Sequence, residues 1–119
     1  MYTFSFEKLE VWKMARQFAV MVYKLTQTFP DAEKWGMISQ MRRSARSVAA
    51  NIAEGSTRFS HKDQSHFYSI AFGSAIEILN DLLIAYDLEW ISTEDLQKYR
   101  SRLEQITFGL NALRKSINL

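Results

Sequence analysis

Leu96, Tyr99, Leu103, Ile106, Leu110, Leu113 and Ile117 fall at alternating intervals of three and four residues. That is the period of an α-helix burying one face. A strand, with its period of two, cannot gather these side chains on one side. The interval recurs upstream, in Ile38, Met41, Ala45, Val48 and Ile52, and again in Tyr68, Phe72, Ala75, Leu79, Leu82 and Tyr86. Only 4 Gly and 1 Pro occur in 119 residues, too few for the many turns of a β fold. The chain reads as all-α.

Helices are expected over about residues 7–28, 32–54, 61–88 and 93–116, within a single domain spanning 1–119. Short links between long helices make neighbours antiparallel, so the expected architecture is an up-down-up-down four-helix bundle. Pro30 interrupts the first helical pattern and Asp31 is placed to cap the second. Gly55 is expected to end the second helix in a left-handed cap. Ser60 with Asp63, and Ser92 with Asp95, have the spacing of N-terminal caps. Trp35 is expected to close one end of the core, Gly73 and Ser74 to let a neighbouring helix approach, and Ser116–Leu119 to fray.

The first helix carries two apolar stripes, about 100° apart around its axis. One is Trp12, Ala15, Ala19, Val22, Thr26 and Phe29; the other is Val11, Met14, Phe18, Met21 and Leu25. Either the helix lies deep in its own core, or the surplus serves self-association. Because a bundle helix normally keeps one wet side, the stripe Val11, Met14, Phe18, Met21 and Leu25 is the candidate oligomer interface.

Several chemistries are excluded or unsupported. Without cysteine there is no disulfide, thiolate metal site or thiol nucleophile. His61 and His66 are spaced poorly for two ligands on one helical face, and neither follows a Glu by three, as a di-metal bundle requires. No glycine-rich phosphate loop or activated serine is visible, and neither catalytic residues, a metal nor a cofactor is expected. The opening MYTFSFEKLEVW lacks the features of a secretory signal, and no uninterrupted apolar run is long enough to span a membrane. A cytoplasmic location is the expectation.

Charge is unevenly distributed. Residues 1–29 carry 4 basic and 2 acidic groups, residues 30–59 carry 5 and 3, residues 60–90 carry 1 and 5, and residues 91–119 carry 5 and 3. The third helix is thus acidic and its neighbours basic. Arg42, Arg43 and Arg46 crowd about one turn, with Arg58 and Lys62 beyond the helix end. A guanidinium fork matches phosphate oxygens, which makes Arg42, Arg46, Arg58 and Lys62 candidate nucleic-acid contacts. Glu77, between two apolar stripes, is the candidate partner of Arg43 or Arg46 in a structural ion pair, since burying either charge alone is costly.

The segments FEKLEVWKMARQFAVMVYKLT, FPDAEKWGMISQMRRSARSVAANIAEGSTR and FYSIAFGSAIEI resemble the four helix bundle protein family. Its members are also described as proteins encoded in intervening sequences of bacterial large-subunit ribosomal RNA genes. The accessory variability determinant of diversity-generating retroelements is a related protein. The likeness covers about residues 4–90, and the fourth helix matches in pattern. Arg42, Arg43, Arg46, Asn51, Glu54, Gly55, Arg58 and Glu77 match the family pattern. Val48-Ala49-Ala50 lacks the proline frequent there, which should leave the helix straighter. The resemblance implies a homopentamer with a positively charged surface. Nucleic acid and a reverse transcriptase are partners of the retroelement relative, which makes RNA or DNA, or a protein such as a reverse transcriptase, the candidate partners here, with no membrane.

Two functional readings follow. In one, a non-enzymatic homo-oligomeric bundle, pentameric by resemblance, binds RNA or DNA through phosphate contacts. In the other, the bundle is a protein-interaction scaffold whose arginines serve internal pairs. An enzymatic site built from Glu54, Glu77 and the arginines is a minor third.

Overall fold

A computed structural model describes residues 1–117. Four helices make up the fold: α1 Glu10–Thr26, α2 Ser39–Ser56, α3 His61–Asp87 and α4 Thr93–Ile117. Contacts between them fix an antiparallel order. From α2 to α3, Gly55 lies against Phe67 and Tyr68, Ser47 against Ser74, and Ser44 against Glu77, so sequence position rises on one helix as it falls on the other. From α1 to α4, Met21 accepts a hydrogen bond from Tyr99, and Val11 packs on Gly109. Each helix packs against the next and α4 returns to α1, closing a four-membered ring around one core.

That core is the periodic set. Ile38, Met41, Ala45, Val48 and Ile52 are all buried, as are Tyr99, Leu103, Ile106 and Leu110, with Leu96, Leu113 and Ile117 packed against them. From α3 the core draws Tyr68, Ala71, Ala75, Ile78, Leu82 and Ala85. The α1 surplus is resolved inward. Val11, Phe18 and Leu25 are buried together with Ala15, Val22 and Phe29, and Met14 and Met21 are half-buried on the α4 side. The expected interface stripe is therefore mostly this bundle's own core. The two stripes face two neighbours, α2 and α4, instead of one core and one partner.

The ends of the helices depart from expectation. Ser5–Lys8 forms a 3-10 turn before α1, its start held by Phe4 N–H donating to Glu7 Oε2 at 2.7 Å. Before α2 the chain makes a 3-10 turn at Asp31–Glu33 and a wide π turn at Lys34–Ile38, with Gly36 in a non-helical conformation. The side chain of Glu33, not Asp31, caps here by accepting the N–H of Met37 at 3.2 Å. In consequence Trp35 is thrown outward, 85% exposed, and Phe29 against Trp90 closes that end of the core at 5.4 Å between ring centroids.

Ser60 and Ser92 do cap α3 and α4, accepting the N–H groups of Asp63 and Asp95 at 3.1 Å. Gly55 remains helical rather than left-handed. It serves instead the closest approach of α2 to α3, where a Cβ would stand 2.7 Å from Tyr68 Cε1. Gly73 shows the reverse: a Cβ there would meet nothing within 4 Å, so it admits no neighbour within this chain. The left-handed position belongs to Glu89 (φ 64°). Trp90 N–H donates to Ala85 and Glu89 N–H to Tyr86, ending α3 in a Schellman motif without glycine. Of the expected frayed end, Ser116 and Ile117 form the last turn of α4, and residues 118–119 lie outside the described residues.

α3 is long and apolar enough, by length and composition, to cross a membrane, although only 33% of its most apolar stretch is buried in the bundle. Ile70, Ile76, Leu83 and Ile84 are exposed along it.

Candidate nucleic-acid interface

The basic run of α2 divides by azimuth, because successive helical residues turn about 100°. Met41, Ser44, Ala45 and Val48 are buried, which fixes the inward direction. Arg42 lies at the α1 edge of that face and is half-buried. Its Nε donates to Thr26 Oγ1 at 2.9 Å and its Nη2 to the Tyr23 carbonyl at 3.2 Å, with the guanidinium 4.7 Å from the Tyr23 ring centroid. Thr26, fully buried, donates its own hydroxyl proton to the Val22 carbonyl at 2.8 Å. Arg42 is thus a strut between α1 and α2, not the outward-facing contact that its spacing suggests.

Arg43 and Arg46 are exposed on the outward side of α2. The expected ion pair with Glu77 does not form: Glu77 Oε2 accepts from Ser44 Oγ at 3.1 Å. Ser44 is the residue of that turn facing α3. Arg43 precedes it by 100° and Arg46 follows by 200°, so both point away from Glu77. Among the described residues the ion pairs are Lys13–Glu10, Arg58–Glu54 and Arg100–Glu104, all at the surface. Arg16, Lys24, Arg43 and Arg46 are exposed on α1 and α2 and take part in none of them. Two unpaired guanidiniums one turn apart, Arg43 and Arg46, raise the local potential toward an anion.

Arg58 and Lys62 lie apart from this cluster. Arg58 is paired with Glu54 at 3.8 Å and stacks 4.5 Å from the Phe67 ring, while Lys62 is exposed in the first turn of α3. By helical rise Arg58 stands about 18–22 Å along the axis from Arg46 and Arg43. The four expected phosphate contacts therefore form two separate groups, and Arg43 replaces Arg42 as the exposed neighbour of Arg46.

Glu54 stands far along α2 from Ser44, the residue that meets Glu77. A shallow depression between α2 and α3 is lined by Gln40, Ser44, Ile76, Glu77, Asn80 and Asp81. Burial pushes the Asp81 carboxyl up, the Asn80 amide draws it back down, and the charge of Glu77 raises it further. Glu54 lies almost three helical turns beyond Ser44, so the carboxylates of the enzymatic reading are not convergent. Asn51 is also structural. Its Nδ2 donates to the Ser47 carbonyl at 2.8 Å and to Ser47 Oγ at 3.0 Å, tightening the seam where Ser47 meets Ser74.

Sequence reasoning missed Trp35 as an exposed group, since the π turn that ejects it has no periodic signal.

In the solved structures, a protein of unknown function from the S23 ribosomal protein family of Bacteroides thetaiotaomicron VPI-5482 superposes with a TM-score of 0.81 at 26% identity. The match covers 88% of this chain and 95% of that one. Comparison with curated proteins returns no match. Residues 7–112 match the family described as 23S rRNA-intervening sequence protein. With the four-helix ring, the N-I-A-E-G packing segment and a match across nearly the whole chain, the protein belongs to the 23S rRNA-intervening sequence protein family.

Proposed function

We propose that this protein is a non-enzymatic, self-associating bundle that holds RNA or DNA by its phosphates on the outward side of α2. The carrying observation is that Arg43 and Arg46 face outward, exposed and outside any ion pair among the described residues. Self-association is supported by α3, an apolar helix only 33% buried over its most apolar stretch, with Ile70, Ile76, Leu83 and Ile84 exposed. A pentamer is the assembly that the family resemblance implies, and each added copy would multiply the phosphate contacts.

Salt titration of duplex and single-stranded binding tests this reading. Each phosphate neutralised on a duplex steepens log K against log salt by about 0.9. Arg43→Ala/Arg46→Ala should therefore flatten the slope by roughly 2 per bound copy while the helical fold persists. Affinity that does not change with salt, or no binding at low ionic strength, refutes it. The scaffold reading draws on Arg42, which is wholly engaged with α1. It predicts instead that the double variant binds as the wild type does and that only assembly changes.

A further inference from the structure

Trp35 is 85% exposed, yet it is not on a loose loop. It sits inside the π turn Lys34–Ile38, whose first turn is closed by Glu33 accepting the N–H of Met37 at 3.2 Å. Gly36 next to it has φ −104° and ψ −112°, and a Cβ there would come 3.0 Å from Glu33 Oε1. The indole is thus presented by a built turn. Lys34 Nζ lies 5.3 Å from its ring centroid. Lys34 also lines the depression at the α1–α2 junction together with Arg42, Thr26, Gln27 and Asp31. Trp35 therefore stands just ahead of α2, the helix that carries Arg43 and Arg46 exposed on its outward side.

We infer that Trp35 is a stacking platform for one unpaired base of a single-stranded nucleic acid whose backbone runs on along Arg43 and Arg46. This rests on the nucleic-acid reading above and deepens it. A flat aromatic face accepts any base, and lysine and arginine beside it follow the phosphates, which is how single strands are held without sequence readout. A base-paired duplex presents no free base face and gains nothing from the indole. The other two tryptophans, Trp12 and Trp90, are half-buried and pack against Phe6 and Phe29, so they cannot take this role.

The test uses the full chain, with oligouridylate and oligothymidylate as single strands and an RNA duplex as control. Binding of either single strand should quench the tryptophan fluorescence of the wild type, and Trp35→Ala should abolish most of that quenching. The variant should lose roughly 5- to 150-fold in single-strand affinity, the range for one stacked base. Duplex affinity should change less than about twofold, and Trp35→Phe should recover much of the loss. Circular dichroism confirms that the variants remain folded, as expected for an exposed side chain. Equal single-strand affinity of wild type and Trp35→Ala overturns the inference while leaving the phosphate reading intact. Equal affinity combined with a Trp35-dependent change in sedimentation assigns the indole to a protein contact and overturns it too. Failure of the wild type to bind either form removes both the inference and the reading beneath it.

Discussion

Gly55 and Gly73 both lie inside helices, and the structure assigns them opposite responses to one added methyl group. An unencumbered Gly→Ala change in a helix interior gains about 0.5–1 kcal/mol, because alanine gives up less backbone freedom on folding. At Gly73 nothing lies within 4 Å of the new Cβ, so the full gain is expected. At Gly55 the Cβ would stand 2.7 Å from Tyr68 Cε1, 3.0 Å from Tyr68 Cδ1 and 3.0 Å from Phe67 Cβ. The Tyr68 ring is only 3% exposed and cannot swing away, and the Phe67 Cβ is fixed to its backbone. Overpacking of this kind costs about 1–3 kcal/mol. With so little room to relax, its upper half applies, leaving a net loss of about 1–2 kcal/mol after the propensity gain. At roughly 2.1 cal/mol/K per residue, the unfolding entropy of this chain converts 1 kcal/mol to about 4 °C. Gly55→Ala should therefore melt about 4–8 °C below the wild type, and Gly73→Ala about 2–4 °C above it. Urea unfolding monitored by circular dichroism, at concentrations where the midpoint no longer depends on protein concentration, isolates the fold from self-association. A Gly55→Ala variant as stable as the wild type, or a Gly73→Ala variant that is not stabilised, refutes the packing argument.

Arg42→Ala should lower stability by about 1–2 kcal/mol in chemical unfolding, because it removes two charge-assisted hydrogen bonds between α1 and α2, partly compensated by water at this half-exposed site. Glu89→Gly should raise stability by about 0.5–1 kcal/mol by relieving a left-handed residue in the Schellman turn, read as a shift in urea midpoint at constant slope. Burial raises the Tyr68 and Tyr99 hydroxyl pKa values, Asp95 adding to the effect at Tyr99. The folded chain then holds these protons above the unfolded tyrosine value of about 10, so stability is full below that pH and falls as pH rises past it. Tyr68→Phe should flatten this alkaline decline in a pH series of thermal melts, and an unchanged slope counts against the burial argument.

The helical class and most of the core were legible in the intervals themselves. Ile38, Met41, Ala45, Val48 and Ile52 are all buried because residues three and four apart share one side of a helix wherever it packs. The serine caps were equally legible, since Ser60 and Ser92 act within one turn of themselves. What failed were positions set by an element distant in the chain or by an irregular turn that periodicity does not encode. Gly55 carries the spacing of a terminal cap, but its use is set by Tyr68 on α3, and Trp35 follows its helix pattern only up to the π turn that ejects it.

The arginines divide the same way. Their number and proximity on α2 are properties of the sequence, and local periodicity alone places them close to one another. Whether a given guanidinium is strut or free surface is decided by where α1 and α3 lie. Tyr23 and Thr26 capture Arg42, Ser44 takes the carboxylate expected for its neighbours, and Arg43 and Arg46 are left to solvent. Likewise the two stripes of α1 announce a helix with two apolar faces, and only the ring of four shows that both faces meet helices of the same chain. Periodicity is a short-range property that any 3.6-residue helix obeys. Partnership is a long-range one, set when the packed helices fix which azimuth each side chain is given.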